Sequence, residues 1–427
     1  NSSSKLLMVG PGPAFVAMLS GDLRTMEKLI LLPAEFLTAR RIAVAPDGSV
    51  LVAGEGRDGG LMVARLETSL SRILWTRRVE GDAVASLSVA PDNSVVICPE
   101  AVPFVSRIAA DGRSLIPFGT QPTFRTDGAS PEIKAAWWDG CGYGRARYRG
   151  SPVYHRGGSG GVVALSDGTF VLLTSNFLHH PGGGPDFDLM MLKFDAEGKI
   201  LWCTNLLDGL PAESDQKSPT LAVDSHTGDL LVSATQHGHF PHNLVFTPGA
   251  YLNPHQWLTG DIAIGWIARI DPATGKPKAA TYCFPEIPGP LVGGKRRANS
   301  LFPRALTADA SGHIFVTGST SRTLPTTLKA FQSEPLGGCG FLTVFTPDLG
   351  RPLHVGLITS RGGNFEGTGI ALVRGAPAVI GTFEKSVPGA WEFTGANVSI
   401  TNYLAPDASS PQGSFVGFYP AFSGSEE

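Results

Sequence analysis

One hairpin-like motif recurs along the chain, and this repetition limits the possible fold more than any other feature. Each copy has an apolar run, a turn rich in Asp, Gly or Asn, and a second run rich in β-branched residues. The copies occupy residues 44–54, 89–97, 163–173, 222–232 and 307–318. A hairpin unit that returns at intervals indicates a β repeat architecture.

A third and a fourth apolar run complete the repeating unit. Third runs occur at 14–19, 61–66, 104–108, 189–194, 265–270, 341–345 and 414–419, and fourth runs such as 72–77 and 199–204 are close copies. Four antiparallel strands per unit are typical of a β-propeller blade. The pattern predicts an all-β, seven-bladed β-propeller that occupies residues 1–427 as a single domain, with six blades as the alternative count.

Composition and the chain ends agree with a closed ring. The 53 Gly, 33 Pro and only 17% charged residues suit many short strands joined by tight turns. Residues 5–10 align with the second strand of a blade, and the last blade ends shortly after its third strand. We expect these incomplete ends to complete each other, because a ring must hide its open edges. The predicted core comprises Leu51, Val63, Leu74, Val171, Leu192, Val232, Ile267, Val316 and Val344.

Charge and hydropathy exclude two classes of function. The net charge of −3 argues against nucleic-acid binding through bulk electrostatics. No apolar run reaches the roughly 20 residues of a membrane helix, so no transmembrane segment is expected. A signal peptide is not present, and Asn1 could begin a processed chain.

The five cysteines lack CxxC spacing, and the apolar runs around Cys98, Cys203 and Cys283 predict buried free thiols.

One loop motif resembles a known family. Residues 240–251 (FPHNLVFTPGAY) and 317–332 (TGSTSRTLPTTLKAFQ) resemble the loop of SBBP-type β-propeller repeats, and 387–391 is a degenerate copy. The resemblance implies a secreted, periplasmic or cell-surface protein. The family has no single activity, so no catalytic residue is carried over from it.

Residues 120–158 interrupt the repeat between blades three and four and form an inserted loop. The insertion is dense in aromatic and basic residues, including Trp137, Trp138, Arg145, Arg147, Arg149, Tyr154 and His155. Trp faces stack on sugar rings and Arg forks pair with carboxylate or sulfate, which predicts a glycan-binding site. The alternative is a plug that covers the propeller channel and buries both Trp side chains.

Strand direction predicts that this insertion shares one face of the ring with the long second-to-third-strand loops. Those loops carry His180, His237, His239 and His242. Long loops on one face of a rigid scaffold commonly carry the binding site. His237, His239 and His242 are candidate ligands of a divalent metal, the one cofactor that the pattern suggests.

Two further hypotheses follow from the insertion and the scaffold. Tyr154, His155 and Arg147 could supply the acid, base and cation of a β-elimination on a uronic acid. The first interpretation is therefore an extracytoplasmic propeller that binds a glycan or protein partner through its loop-rich face. The alternatives are a lyase or hydrolase of acidic polysaccharides and a non-catalytic subunit of a larger assembly.

Overall fold

The structure is a computed structural model. It describes residues 6–10, 14–20, 25–100, 105–116, 159–179, 185–206, 216–237, 244–251, 263–284, 299–327, 330, 338–359, 363–385, 399–403 and 412–419, and structural statements below concern these residues. They contain strands and turns, and none of them lies in a helix. No stretch among them forms a helix able to cross a bilayer.

The strands form seven antiparallel sheets, which we number as blades in chain order. Blade 1 holds β1 (Leu6–Gly10), β2 (Phe15–Leu19) and β3 (Met26–Leu31); blade 2 holds β4 (Arg41–Val44), β5 (Val50–Glu55), β6 (Leu61–Leu66) and β7 (Ile73–Val79). Blade 3 holds β8 (Val84–Val89), β9 (Val95–Pro99), β10 (Ser106–Ile108) and β11 (Leu115–Ile116); blade 4 holds β12 (Ser159–Ala164), β13 (Phe170–His179), β14 (Pro185–Phe194) and β15 (Ile200–Thr204).

The remaining three blades repeat this order, with one exception in the last. Blade 5 holds β16 (Gln216–Val223), β17 (Leu230–His237), β18 (Ala263–Ile270) and β19 (Pro277–Cys283); blade 6 holds β20 (Leu301–Ala308), β21 (Ile314–Thr320), β22 (Cys339–Phe345) and β23 (Pro352–Ile358). Blade 7 holds β24 (Gly363–Val373), β25 (Ala376–Lys385), β26 (Ser399–Tyr403) and β27 (Gln412–Phe418), in the spatial order β24-β25-β27-β26.

The seven sheets are arranged as a ring, so the predicted seven-bladed β-propeller is confirmed. The first strands of blades 2 to 7 contact one another in succession and surround the central channel. First-to-second and third-to-fourth turns emerge at one end of the ring, which we call the turn end. Second-to-third loops and blade-to-blade connections emerge at the other, the loop end.

The chain ends meet by packing of two sheets. Phe15, Ala17 and Leu19 of β2 contact Ala371 and Val373 of β24, together with Ala378 and Ile380 of β25. Among the described residues, blade 1 contains only N-terminal strands, and β26 supplies the outer strand of blade 7. The two incomplete ends thus meet as expected, and among the described residues neither end blade contains a strand from the other end of the chain.

Blade 1 lacks the innermost strand among its described residues. Its β2–β3 turn has the hydrogen bond that closes the third-to-fourth turns elsewhere, here from Ser20 N–H to Thr25 C=O, as from Glu67 N–H to Arg72 C=O in blade 2. A register shift also follows Met18, as it follows Arg65 in blade 2. Strands β1, β2 and β3 are thus the second, third and fourth strands of a blade.

Eight of the nine predicted core residues are buried in strands, and the prediction for Leu74 is wrong. The eight buried side chains are those of Leu51, Val63, Val171, Leu192, Val232, Ile267, Val316 and Val344. The Leu74 side chain is 43% exposed. Leu74 is the extra residue of a β-bulge between β6 and β7, where Leu66 pairs with Ile73 and Arg65 with Trp75. A bulged residue leaves the alternation of the strand, so Leu74 faces outward.

A buried cation on the third strand joins each of blades 2 to 5 to the next blade. Arg65, Arg107, Lys193 and Arg269 occupy equivalent positions and pair with Asp47, Asp92, Asp167 and Asp224 in their own first-to-second turns. Each also donates to a backbone carbonyl in the following blade, respectively Ala110, Ala196, Pro272 and Gly312. Val344 of blade 6 and Met18 of blade 1 stand at this position, since each precedes the same register shift.

A tryptophan on the fourth strand makes a second joint at the turn end. Trp75 Nε1–H donates to Ala110 C=O at 3.0 Å, and Trp202 Nε1–H donates to Pro272 C=O at 3.2 Å. Each indole lies against a glycine of the next blade's third-to-fourth turn, Gly112 or Gly275, where a Cβ atom would meet the ring. The turn end is therefore built from repeated structural contacts.

Candidate functional site

Four side chains from three consecutive blades gather at the loop end, beside the channel. His237 ends β17 of blade 5, Phe302 and Arg304 lie near the start of β20 in blade 6, and Glu366 lies near the start of β24 in blade 7. We call this group the channel cluster. His237 is the last residue of β17, and its neighbour Gln236 pairs with Gln216 at the start of β16. First strands start and second strands end at the loop end, so all four residues lie in the loop-end halves of their strands.

The channel cluster combines an ion pair with two aromatic rings. Arg304 Nε lies 2.6 Å from Glu366 Oε1, and the Arg304 guanidinium lies 5.9 Å from the centre of the Phe302 ring. The His237 and Phe302 ring centres are 6.1 Å apart. Ser319 Oγ donates to Glu366 Oε1 at 3.4 Å and holds the carboxylate from the second strand of blade 6. The side chains of Arg304 and Glu366 are 38% and 33% exposed, so this charged pair is accessible to solvent.

His237 is oriented by its own strand. Its Nε2 lies 3.0 Å from Thr235 Oγ1, and the Thr235 hydroxyl lies 3.1 Å from the Lys217 carbonyl oxygen, to which it donates. The Thr235 hydroxyl therefore lies between the His237 ring and the backbone of β16.

The structure describes one of the three predicted metal ligands, His237. His239 and His242 lie outside the described residues, as do His180 and the insertion residues Trp137, Trp138, Arg145, Arg147, Arg149, Tyr154 and His155. Within the described part of the chain, no group of three His, Cys, Asp or Glu side chains could hold a metal ion. The predicted metal, glycan and lyase sites stay predictions.

The strand ends that flank the insertion define where it leaves the ring. Strand β12 begins at Ser159, which pairs with Thr174 in the middle of β13. A Cβ atom on the next residue, Gly160, would lie 2.8 Å from Pro219 Cβ near the start of β16, the first strand of the His237 blade. Strand β12 therefore starts at the end of the ring where β17 ends. The position of residues 120–158 themselves stays a prediction.

The expectation of a free thiol at Cys203 is wrong. Cys203 on β15 is disulfide-bonded, whereas Cys98, Cys283 and Cys339 are free and buried. Burial raises the pKa of the Cys283 thiol, which keeps it protonated and unreactive. The apolar run around Cys203 suggested a buried residue, but the fourth strand is the outer strand of its blade, and Cys203 there is only partly buried.

The loop motif that resembles the SBBP repeat has a structural role in two blades. In blade 5, Thr247 N–H donates to Ala280 C=O of β19 at 3.1 Å, and Ala280 N–H donates to Thr247 Oγ1 at 3.0 Å. In blade 6, Thr327 and Val355 of β23 make the same two bonds, at 3.1 and 3.3 Å. The motif thus covers the open edge of the outermost strand, which would otherwise present unpaired backbone groups.

The apolar residue three positions before each threonine completes this cover. Leu244 and Leu324 are buried in the hydrophobic clusters that include Tyr282 and Val355, respectively. Three positions after each threonine, the N–H of Ala250 and of Ala330 donates to the threonine carbonyl at 3.1 and 2.9 Å. We call residues 244–250 and, in blade 6, 324–327 with 330 the covering segments.

Comparison with known proteins gives similarity of structure without similarity of sequence. No protein-family model matches the chain, and no curated protein sequence matches it. The WD40 β-propeller domain of Doa1 is 10% identical with a TM-score of 0.45, covering 90% of this chain and 87% of that one. The RRP9 WD40 repeats are 9% identical with a TM-score of 0.47, covering 97% and 91%.

A quinohemoprotein alcohol dehydrogenase from Comamonas testosteroni is 11% identical with a TM-score of 0.45, covering 96% of this chain and 72% of that one. Likenesses at this level carry no functional conclusion. The chain is a β-propeller repeat protein on the evidence of its own seven sheets. The more specific SBBP assignment is not confirmed.

Proposed function

We propose that this protein is a binding scaffold that contacts a protein partner through the loop end of its ring. The observation that carries the proposal is the channel cluster, in which three consecutive blades present His237, Phe302 and the Arg304–Glu366 pair at one accessible place. Arg and aromatic side chains are enriched in protein interfaces.

The contrast between the two ends of the ring supports this choice. At the turn end, the third-strand cations of blades 2 to 5 are buried and bonded to carbonyls of the next blade, as Arg65 is to Ala110. At the loop end, the Arg304 side chain is 38% exposed. Since its carboxylate partner Glu366 is equally accessible, the pair can bond to charges on a partner that arrives from that end.

An extracytoplasmic location is part of the proposal. Cys203 is disulfide-bonded, and structural disulfides persist mainly in oxidising compartments. The loop motif at 240–251 and 317–332 supports the same location through its resemblance to SBBP repeats.

Site-specific photocrosslinking tests the proposal. A benzophenone amino acid at Phe302 should trap a discrete protein from a native extract, and the matched probe at Leu74 on the outer rim should not. Adding Arg304→Glu to the Phe302 probe should reduce the trapped species at least tenfold, because the substitution places two carboxylates together. Equal products from both probes, or none from Phe302, would contradict the proposal.

A polysaccharide assay separates the alternative functions. A glycan-binding protein should retain immobilised uronic-acid polysaccharides, with weaker retention after Trp138→Ala or Arg147→Ala. A lyase should produce an unsaturated product that absorbs in the ultraviolet, and Tyr154→Phe or His155→Ala should abolish it. Formation of this product would show that the protein is an enzyme and would contradict the proposed role as a binding scaffold.

A further inference from the structure

Blade 1 carries an apolar outer strand that its own loop does not cover. Leu29 and Leu31 on β3 are 45% and 56% exposed. Counting from the shared bulge, Leu29 corresponds to Ala280 in blade 5 and Val355 in blade 6. Leu31 corresponds to Tyr282 and Leu357 by the same count. All four of these counterparts are buried, so the same position has opposite environments in different blades.

The difference follows from the second-to-third connection of each blade. In blades 5 and 6 this connection spans residues 238–262 and 321–338, which is long enough to place a covering segment on the fourth strand. In blade 1 it spans only residues 11–14 and cannot reach around the sheet. The outer strand of blade 1 therefore has apolar residues at the positions that are covered in blades 5 and 6. The second-to-third connection of blade 1 does not cover them.

Blade 2 shows how the chain treats such a surface when it faces water. Its connection is also short, at residues 56–60, and the counterparts of Leu29 and Leu31 are Thr76 and Arg78, both exposed. Polar side chains at an uncovered position need no cover. Leu29 and Leu31 at the same uncovered positions are apolar, like their counterparts in the covered blades 5 and 6.

We propose that the outer strand of blade 1 docks an extended segment of a partner protein with the pattern Leu-x-x-Thr-x-x-Ala. The chemistry of the occupant is taken from the covering segments of this chain. Leu244 and Leu324 bury their side chains, and Thr247 and Thr327 each make two bonds to one strand residue. Leu29 has the register of that strand residue, so its backbone N–H and C=O point toward the open edge of the sheet.

A synthetic peptide provides the direct test. A fluorescent peptide with the sequence of residues 243–252 should bind the full chain, and the Leu29→Thr/Leu31→Arg variant, which copies blade 2, should bind it at least tenfold more weakly. Leu201→Thr is the matched control, because Leu201 is 50% exposed on the outer strand of blade 4. Replacing Leu244 of the peptide by Asp, or Thr247 by Val, should weaken binding to the unchanged protein.

Two results would overturn the proposal. One is failure of the unchanged protein to bind the peptide at millimolar concentration, or equal binding by the double variant. The other is a dimer in sedimentation that Leu31→Arg converts to a monomer, since a second copy of the chain would then be the occupant. Thermal unfolding of the double variant should match that of the unchanged protein, because both leucines are exposed.

Discussion

Arg269 and Asp224 form an ion pair inside the turn end of blade 5, with 2.8 Å between Arg269 Nη1 and Asp224 Oδ2. The aspartate is fully buried, and Arg269 Nη1 also lies 3.2 Å from Asp229 Oδ2. Burial alone would raise the pKa of Asp224, but hydrogen bonds from His226 N–H and Arg269 outweigh it and lower the pKa. The pair therefore persists at neutral pH and links blade 5 to blade 6 through Gly312.

Arg269→Met should destabilise the protein strongly. The substitution leaves the buried Asp224 carboxylate without Arg269, and breaking a buried pair costs about 3–5 kcal/mol. The control is Arg72→Ala, which removes an exposed pair with Glu67 and should leave the urea midpoint nearly unchanged, because solvent screens exposed pairs. Urea unfolding measures both. Equal, small losses would show that the buried cations do not hold the blades together.

Gly112→Ala should destabilise the joint between blades 2 and 3. A Cβ atom there would lie 2.5 Å from Cδ2 of the Trp75 indole, and Gly112 has a φ of +73°. Gly168→Ala is the matched control, since its φ is +82° but no atom lies within 4 Å of the added Cβ. The difference between the two variants isolates the clash, which we expect to be about 1–3 kcal/mol. A difference near zero would mean that the indole can move aside.

His354 should make the protein less stable in mild acid. Burial lowers the pKa of His354 to about 4, below the roughly 6.5 of an exposed histidine. The unfolded chain therefore binds a proton first, so the stability present above pH ~6.5 is lost as the pH falls toward 4. The His354→Gln variant should lack this pH dependence. In the unchanged protein we expect it to lower the free energy of unfolding by roughly 2–3 kcal/mol over this range. An unchanged slope in the variant would show that other groups cause the loss.

Leucine positions in two strands should respond in opposite ways to truncation. Leu192→Ala removes a fully buried side chain from β14 and should cost about 2–5 kcal/mol. Leu74→Ala removes an exposed side chain at a bulge and should change stability by less than about 0.5 kcal/mol. Thermal unfolding compares them. A large loss at Leu74 would show that an unseen contact covers it.

The disulfide of Cys203 predicts a specific crosslinked peptide. Cys98, Cys283 and Cys339 are free, which leaves Cys141 as the remaining cysteine of the five. Non-reducing peptide mapping should therefore join the peptide of Cys203 to that of Cys141, and Cys141→Ser should release a reactive thiol at Cys203. Recovery of unlinked, alkylated Cys203 from the unreduced protein would contradict this pairing.

Much of the fold could be predicted from the repeat because strand, turn and strand are encoded locally. The alternation of apolar residues and the Asp–Gly turns sufficed for seven blades and for core residues such as Val232 and Ile267. The burial of Leu74 was predicted wrongly because a bulge turns one side chain to the other face of the sheet. An apolar run in the sequence does not show where such a register shift occurs.

The sites depended on contacts between distant segments. Local periodicity was enough to predict seven repeats of up to four strands and the existence of an insertion. The contact of Arg304 with Glu366, the cover of Ala280 by Thr247 and the exposure of Leu29 arise only when the ring is folded. Each of these depends on which surfaces the ring brings together, and loop length, rather than residue type, determines which outer strands are covered.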